Sequence, residues 1–283
     1  MTARVAKTIV GGLSFTEGPR WRDGRLWFSD AHNGRVLSVD EAGDVRVEAV
    51  LPSSCSGIGW RTDGTLLVLL TQARRLVAVA GDKIVDSLDL STWLPGSGTE
   101  MITDLKGRAY IGNAGFDFRA GEAPRATKLV MATANGDLSF ASDEPLEFPN
   151  GTVITPDGST LIIAETIGKR LSAFDVAPDG SLSKKRPFAD LGEAMPDGIC
   201  LDAEGAVWVC SPNTCQVLRV RNGEVVDRIS TGARGAFACM LGGADRRTLY
   251  VATGSVFDFT NAHPKLPAAI ETVRVDVPGA GFP

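Results

Sequence analysis

Short apolar runs rich in valine, isoleucine and leucine alternate with tight polar turns along nearly the whole chain. Asp-Gly pairs separate such runs at 23–24, 63–64 and 157–158. Apolar residues do not recur at the i, i+3 and i+4 spacing of an amphipathic helix over any long window. The pattern is typical of short strands joined by hairpin turns, and it predicts an all-β protein.

One unit of this pattern occurs six times. Each copy has a small polar start, an apolar strand, a tight turn and a second apolar strand. The copies lie at 17–30, 56–71, 99–115, 150–166, 197–211 and 237–253. Their turns are 40 to 51 positions apart, which fits the repeat length of one propeller blade. The repeat therefore predicts a six-bladed β-propeller with four-stranded antiparallel blades, in which each unit forms the inner hairpin of its blade.

The two ends of the chain are expected to close this ring. The segment 5–10 (VAKTIV) belongs to no unit, and we expect it to join the last blade beside 272–277 (TVRVDV). Such closure removes an exposed sheet edge. The stretch 256–271 shows the least repeat character and is predicted to be a long surface loop. Residues 1–283 are interpreted as one domain, because the rival interpretation of two β-sandwiches explains neither the period nor the unmatched ends.

The innermost strand of a propeller blade runs along the central channel, so the first residues of the six units should form one ring. These residues are Glu17, Ser56, Thr99, Asn150, Asp197 and Phe237. Turn chemistry alone would explain the Asn-Gly and Asp-Gly pairs at two of these positions. It does not explain Glu17-Gly18, so the ring is interpreted as a polar level of the channel.

Three members of the ring, Glu17, Asn150 and Asp197, offer two carboxylates and one amide oxygen. Ligands made only of oxygen suit hard cations such as Ca²⁺ or Mg²⁺, with Mn²⁺ and Zn²⁺ as alternatives. Three protein ligands would leave positions open for water and substrate, as a catalytic metal requires. The alternative interpretation is a polar, water-filled pore without a metal.

Composition and charge narrow the function classes. The chain has 283 residues, a net charge of −5 and 29 scattered basic residues. Binding to nucleic acid is not expected, because phosphate contacts need clustered Lys and Arg. No signal-peptide core and no apolar run of about 18 residues occurs. The sequence therefore predicts a cytoplasmic protein that does not attach to membranes.

Cysteine and histidine usage excludes other chemistries. The five cysteines have wide spacings, and they are predicted to be reduced and mostly buried. The only histidines are His32 and His263, and no Gly-x-Ser-x-Gly motif is present. A Ser-His-Asp hydrolase or a histidine-rich metal site is therefore not expected. His263 is a minor candidate for proton transfer, with an ordinary surface histidine as the alternative.

Several motifs occur in the order known from one protein family. They are EGPRW, PNGTVITPDGSTLIIAET, PDGICLDAEGAVWV and FACMLGGADRRTLYVAT. Over about residues 15–255 the chain resembles the SMP-30/gluconolactonase/LRE (regucalcin-like) family of six-bladed propellers. The resemblance implies a metal-dependent lactonase with Glu17, Asn150 and Asp197 as metal ligands. It also implies that Asp197 is the catalytic acid or base, and related diisopropyl-fluorophosphatase-type enzymes hydrolyse organophosphates.

The chain departs from the pattern of the sugar lactonases in its third unit. Thr99-Glu100 stands where the family usually has Asn-Asp, and Ser97 replaces an arginine suited to polyhydroxylated substrates. Thr99, Asn113 and Asp117 are the candidate substrate-binding residues. Phe116 and Phe118 are expected either to form an apolar wall at the channel mouth or to pack within a loop.

The sequence thus predicts a metal-dependent lactonase or esterase that binds one divalent cation, with Ca²⁺ favoured, and a small lactone or ester substrate. One alternative is an organophosphate hydrolase that uses the same metal. A second is a non-catalytic, ligand-binding propeller in which the metal is structural. The physiological substrate, the metal used and the oligomeric state stay open at this stage.

Overall fold

The structure, a computed structural model, describes residues 4, 6–255 and 267–281. Within these ranges 24 strands form six four-stranded antiparallel sheets. The innermost strands contact one another in chain order, and the sixth contacts the first. The predicted six-bladed β-propeller is confirmed. In the described part of the chain the helical element is a 3₁₀ turn, Ala31–Asn33, and no helix there is long and apolar enough to cross a membrane.

In each of blades 1 to 3 the four strands follow one another from the channel outward. Their strands are β2 (Thr16–Arg22), β3 (Arg25–Asp30), β4 (Arg35–Val39) and β5 (Val45–Val50), then β6 (Cys55–Trp60), β7 (Leu66–Leu70), β8 (Arg75–Ala80) and β9 (Lys83–Asp89), then β10 (Gly98–Thr103), β11 (Ala109–Asn113), β12 (Val130–Ala132) and β13 (Leu138–Phe140). Each predicted unit forms the two inner strands of its blade.

Blades 4 to 6 repeat this order, except that the sixth is completed by the first strand of the chain. The strands are β14 (Pro149–Ile154), β15 (Thr160–Glu165), β16 (Arg170–Val176) and β17 (Leu182–Asp190), then β18 (Ile199–Leu201), β19 (Val207–Ser211), β20 (Gln216–Arg221) and β21 (Glu224–Ser230), then β22 (Gly235–Gly242), β23 (Thr248–Gly254), β24 (Ala268–Arg274) and β1 (Lys7–Leu13).

Strand β1 closes the ring as its outermost strand in blade 6. Lys7 lies opposite Thr272 and Thr8 opposite Glu271 in an antiparallel pair with β24. The predicted loop over 256–271 is wrong at its end, because β24 already begins at Ala268. The sequence AAIE has low strand propensity, but burial of Ala268 and Ile270 against β23 overrides it. The rest of that predicted loop, 256–266 with His263, lies outside the described residues.

The second strand of each blade is largely apolar and buried, because both of its faces are covered by neighbouring blades. All five residues of β7 are buried, whereas β9 at the edge of the same blade is mainly exposed. Val36 of blade 1 packs in one cluster with Ile58 and Val68 of blade 2. Face-to-face packing of blades thus explains the short continuous apolar runs seen in the sequence.

The cysteines fit the predicted reduced state. All five are free thiols; four are buried and Cys215 is half-buried. The Sγ atoms of Cys200 and Cys239 lie 3.6 Å apart between blades 5 and 6. Burial raises the pKa of both thiols far above the ordinary range. They therefore act as small apolar side chains of the core.

Glu165 is a fully buried carboxylate that holds the outer part of blade 4 together. It accepts hydrogen bonds from Arg170 (2.7 Å), Ser172 (2.6 Å) and the Glu147 backbone N–H (2.8 Å), and Lys185 Nζ lies 3.1 Å away. Burial alone would raise the pKa of Glu165, but these donors outweigh it and lower the pKa to about 2. Glu165 thus serves the blade rather than the channel.

We expect this network to set part of the acid sensitivity of the protein. A carboxylate whose folded-state pKa is depressed stabilises the fold above its unfolded pKa, and loses that contribution as the pH falls from about 4.5 to about 2. Glu165→Gln should therefore cost about 1–3 kcal/mol at pH 7 and flatten the fall in stability over that pH range. Urea unfolding from pH 3 to 7 measures both effects.

The matched control for this prediction is Glu147→Gln. Glu147 also pairs with Arg170, at 3.3 Å, but its side chain is 47% exposed. Its loss should change the free energy of unfolding by less than about 1 kcal/mol. Equal losses in the two variants, or an unchanged acid transition in Glu165→Gln, would contradict the assignment.

Candidate functional site

The ring residues predicted from the repeat lie at the start of the inner strands. Glu17 and Asn150 are the second residues of β2 and β14. Asp197 precedes β18 by two residues, and its N–H donates to Cys210 O at 2.9 Å. The Gly151 N–H donates to Asp197 O at 3.2 Å. The backbones that carry Asn150 and Asp197 are therefore directly linked.

The glycine after each of these residues is required by close backbone contact. A Cβ atom on Gly198 would lie 2.6 Å from Ala238 Cα, and one on Gly18 would lie 2.8 Å from Ser56 O. A Cβ on Gly151 would overlap Asp197 O in the same way. The turn-chemistry explanation of these pairs is thus replaced by another cause: the inner strands converge on the channel, and only glycine fits between them.

Two carboxylates of this part of the channel, the buried Glu17 and the half-buried Asp197, act on each other electrostatically. Glu17 is 7% exposed, and the two atoms Glu17 Oε2 and Asp197 Oδ1 are buried without a hydrogen-bond partner. Burial and the charge of Glu100 raise the pKa of Asp197 to about 8. Burial, then the charges of Asp197 and Glu100, raise the pKa of Glu17 well above its usual range. Unpartnered acid oxygens at this depth are costly unless a cation or a proton compensates them.

Asn150 stands beside these carboxylates with its amide oriented by the fourth blade. Its Nδ2 donates to Thr166 Oγ1 at 3.3 Å, and Thr166 Oγ1 in turn donates to Pro196 O at 2.7 Å. A hydrogen bond from the Asn150 side chain also lowers the pKa of Asp197 in part. Because the NH₂ end of the amide faces these acceptors, the carbonyl oxygen is the atom that suits a cation.

A buried ion pair, Arg20–Glu100, lies next to the carboxylates and joins blades 1 and 3. Arg20 Nη2 is 3.4 Å from Glu100 Oε1 and also donates to Met101 O, while Nη1 donates to Pro19 O at 2.8 Å. Both side chains of the pair are less than 10% exposed. Blade 2 lies between them in the ring, and Gly57 of β6 has no Cβ to block the Glu100 side chain.

The charges of this group fit a divalent cation. Glu17, Asp197 and Glu100 are three carboxylates, and Arg20 supplies one guanidinium, so full ionisation would leave two negative charges without a protein partner. Within the described ranges, no three His, Cys, Asp or Glu side chains form a metal-binding group by themselves. The amide oxygen of Asn150 is a third oxygen donor beside the two acids. All-oxygen donors with two carboxylates match the chemistry of Ca²⁺ and related hard cations.

Two predicted substrate-binding residues, Thr99 and Asn113, already bond to the protein. Thr99 Oγ1 donates to Pro149 O at 2.6 Å and so ties blade 3 to blade 4. Asn113 is fully buried; its Nδ2 donates to Lys128 O at 3.1 Å, and its Oδ1 accepts from Thr127 Oγ1 at 2.9 Å. Their roles towards a substrate stay predictions, and the structure places Asn113 inside the blade.

The third candidate, Asp117, lies on the exposed loop 114–126. Its carboxylate accepts the N–H groups of Arg119 and Ala120, each at 3.1 Å, so it shapes the loop. Phe116 of the same loop is buried, and Phe118 is half-buried. A third ring, Phe148, has its centroid 6.0 Å from both. Whether these rings form the predicted apolar wall or pack within the loop stays a prediction.

Sequence reasoning missed Arg20 and Phe148 as parts of the site region. Arg20 stands in the EGPRW stretch of the first unit, three residues after Glu17. The neighbouring inner strand β6 contains Gly57 and Gly59, and these glycines are the one sequence signal that a side chain could pass from blade 1 to blade 3. Phe148 stands two residues before Asn150. No local feature of the sequence predicts its left-handed backbone, with φ of 62°.

Comparisons with known proteins agree with this architecture. A sequence model of the SMP-30/gluconolactonase/LRE-like region matches residues 15–255. A 6-deoxy-6-sulfogluconolactonase of Pseudomonas putida is 26% identical over 94% of this chain and 93% of its own length. Regucalcin of Danio rerio is 26% identical over 61% of this chain, and the alignment spans 59% of that relative. The solved calcium-binding protein regucalcin of Agrobacterium tumefaciens superimposes with a TM-score of 0.81 at 20% identity, covering 99% of this chain and 97% of its own.

Proposed function

The chain belongs to the SMP-30/gluconolactonase/LRE-like family, and from this premise we propose that it is a metal-dependent hydrolase that opens a small lactone or ester in its central channel. The observation that carries the proposal is the pair of buried, unpartnered acid oxygens, Glu17 Oε2 and Asp197 Oδ1. The lactonase named among the relatives supports the reaction class.

Glu17, Asn150 and Asp197 would hold one divalent cation, with Ca²⁺ favoured over Mg²⁺, Mn²⁺ and Zn²⁺ because every donor is a hard oxygen. When bound, the cation would polarise the substrate carbonyl and stabilise the negative charge that develops on its oxygen. The buried Arg20–Glu100 pair would hold its own charges in place beside these ligands.

Asp197 would move the proton. Its Oδ1 has no partner in the protein, so it can accept a proton from the water that attacks the acyl carbon. The bond between that carbon and the ring oxygen breaks, and the proton passes from Asp197 to the departing alkoxide. The product is a hydroxy acid. Thr99 and Asp117 would contact the substrate nearer the mouth, and Asn113 would support that part of blade 3.

A pH-stat assay tests this function. A panel of lactones and esters, with a paraoxon-type triester, is offered to the chelated protein with Ca²⁺, Mg²⁺, Mn²⁺ or Zn²⁺ added singly. We expect lactone turnover that depends on the added cation. Turnover of the triester alone would indicate that the protein is a phosphotriester hydrolase and not a lactonase. Thermal stabilisation by a cation without any turnover would favour the non-catalytic, ligand-binding propeller.

A further inference from the structure

Two groups of aromatic rings include residues that lie just before the inner strands carrying Glu17 and Asn150. The Phe148 cluster consists of Phe116, Phe118 and Phe148, with centroid separations of 6.0 to 6.5 Å. The Phe15 cluster consists of Phe15, Phe237 and His32: the rings of Phe15 and Phe237 are 4.9 Å apart, and His32 stacks on Phe15 at 5.4 Å.

Each cluster is fixed to the candidate site through the backbone. Phe15 precedes Glu17 by two residues, and Phe148 precedes Asn150 by two residues. Phe237 is itself a member of the ring, and its carbonyl accepts the Gly198 N–H at 2.7 Å, next to Asp197. Phe15, Phe118 and Phe148 are the half-buried rings of these clusters, so part of their apolar surface is exposed.

The backbone conformation of Phe148 is a second observation that favours a binding role for this residue. Its φ of 62° lies in the left-handed region, which costs a bulky residue about 1 kcal/mol or more. Strain of this kind persists where the surroundings hold it, and it concentrates at binding sites. Here the backbone is held by the Thr166 N–H, which donates to Phe148 O at 3.1 Å.

Two rings of the Phe148 cluster, Phe116 and Phe118, lie on the loop 114–126 of blade 3. Arg119 on this loop lies with Cζ 5.8 Å from the Phe118 ring centroid. Phe15 and Phe148 each precede a ring residue by two positions, Glu17 in blade 1 and Asn150 in blade 4, so both clusters lie at the end of the channel where the inner strands begin.

The polar side chains that could recognise sugar hydroxyl groups are largely engaged. Arg20 bonds to Glu100, Met101 O and Pro19 O. Asn113 and Thr99 bond to blade backbones. Ser56 Oγ and Thr16 Oγ1, both buried without a partner, are available hydroxyls at the ring. Of the described residues named here, three are half-buried aromatic rings, and two carry hydroxyl groups without a partner.

We propose that the site selects lactones or esters that carry an apolar aryl or alkyl substituent, which the Phe15 and Phe148 clusters hold, over polyhydroxylated sugar lactones. This inference rests on the proposed function, because it names the substrate class of that same site. Aromatic rings bind an apolar substituent by burying its surface and by edge-to-face contacts. A bound sugar instead needs a hydrogen-bond partner in the protein for each hydroxyl group that is removed from water.

The test compares γ-phenyl-γ-butyrolactone with D-glucono-δ-lactone. We expect kcat/KM to favour the phenyl lactone by at least about tenfold. Phe118→Ala should raise KM for the phenyl lactone by about tenfold and leave KM for the sugar lactone unchanged, and Phe118→Tyr should restore it. The control is Phe140→Ala on the outer strand of the same blade, where the ring is 44% exposed and packs on Trp93.

A binding measurement separates this inference from the reaction itself. Titration calorimetry follows the stable hydroxy acids 4-hydroxy-4-phenylbutanoate and gluconate on the wild type and on Phe118→Ala. Tighter binding of the phenyl acid, weakened by Phe118→Ala, supports the inference even if no lactone is hydrolysed. Preference for gluconate, or equal affinity of both proteins for the phenyl acid, overturns it even if lactones are turned over.

Discussion

Replacement of Asp197 by asparagine is expected to reduce kcat for lactone hydrolysis by about 10³-fold while the propeller stays folded. Asparagine has the same shape and keeps an oxygen that faces the channel, but it cannot accept the proton of the attacking water. It also removes one of the two uncompensated carboxylates. Steady-state kinetics at saturating cation, with thermal unfolding followed by circular dichroism, measure activity and fold separately.

The matched control is Asp190→Asn. Asp190 ends β17 in an exposed position, where its carboxylate accepts the Gly192 N–H at 2.8 Å, a bond that asparagine retains. Its kcat should equal that of the wild type. Full activity of Asp197→Asn with cation supplied would remove Asp197 from the mechanism, and equal losses in both variants would point to a general effect of the substitution.

The second large effect is expected on stability, at Arg20. Arg20→Met leaves Glu100 buried and unpaired beside Glu17 and Asp197, and removal of one partner from a buried ion pair costs about 3–5 kcal/mol. The double variant Arg20→Met, Glu100→Gln removes the stranded charge and should recover most of the loss. Urea unfolding of the wild type, both single variants and the double variant gives the coupling free energy.

Arg22→Met is the control on the same strand. Arg22 pairs with Asp23, which is 81% exposed, and its guanidinium lies 4.6 Å from the Trp60 ring centroid. Its loss should cost no more than about 1 kcal/mol. If Arg20→Met costs equally little, or if the double variant is no more stable than Arg20→Met alone, the buried pair does not stabilise the fold by compensating the charge of Glu100.

Local pattern was enough to predict the repeated part of the fold. Six hairpin units, the blade period and the joining of both chain ends all follow from apolar runs, turn glycines and unmatched terminal segments. The end of the loop before β24 could not be predicted from local pattern. Ala268 and Ala269 have no strand signal of their own, and they form a strand because they are buried against β23. Tertiary packing there outweighs propensity.

The candidate ligands were also within reach of the sequence, since Glu17, Asn150 and Asp197 share one position of the repeat. Their neighbours were not. The Arg20–Glu100 contact depends on how far Gly57 lets blades 1 and 3 approach past blade 2. The internal bonding of Asn113 depends on Thr127 and Lys128, which follow a long loop. Contacts between residues 14 to 80 positions apart have no local signature.

The most direct test of the account is calorimetric titration of Ca²⁺ into the chelated protein, with Glu17→Gln and Asp190→Asn titrated in parallel. One site per chain is expected in the wild type and in Asp190→Asn, and replacement of a buried carboxylate ligand in Glu17→Gln should weaken binding at least about tenfold. Absence of binding of Ca²⁺, Mg²⁺, Mn²⁺ and Zn²⁺ to the wild type, or undiminished affinity in Glu17→Gln, would contradict a cation held by Glu17, Asn150 and Asp197.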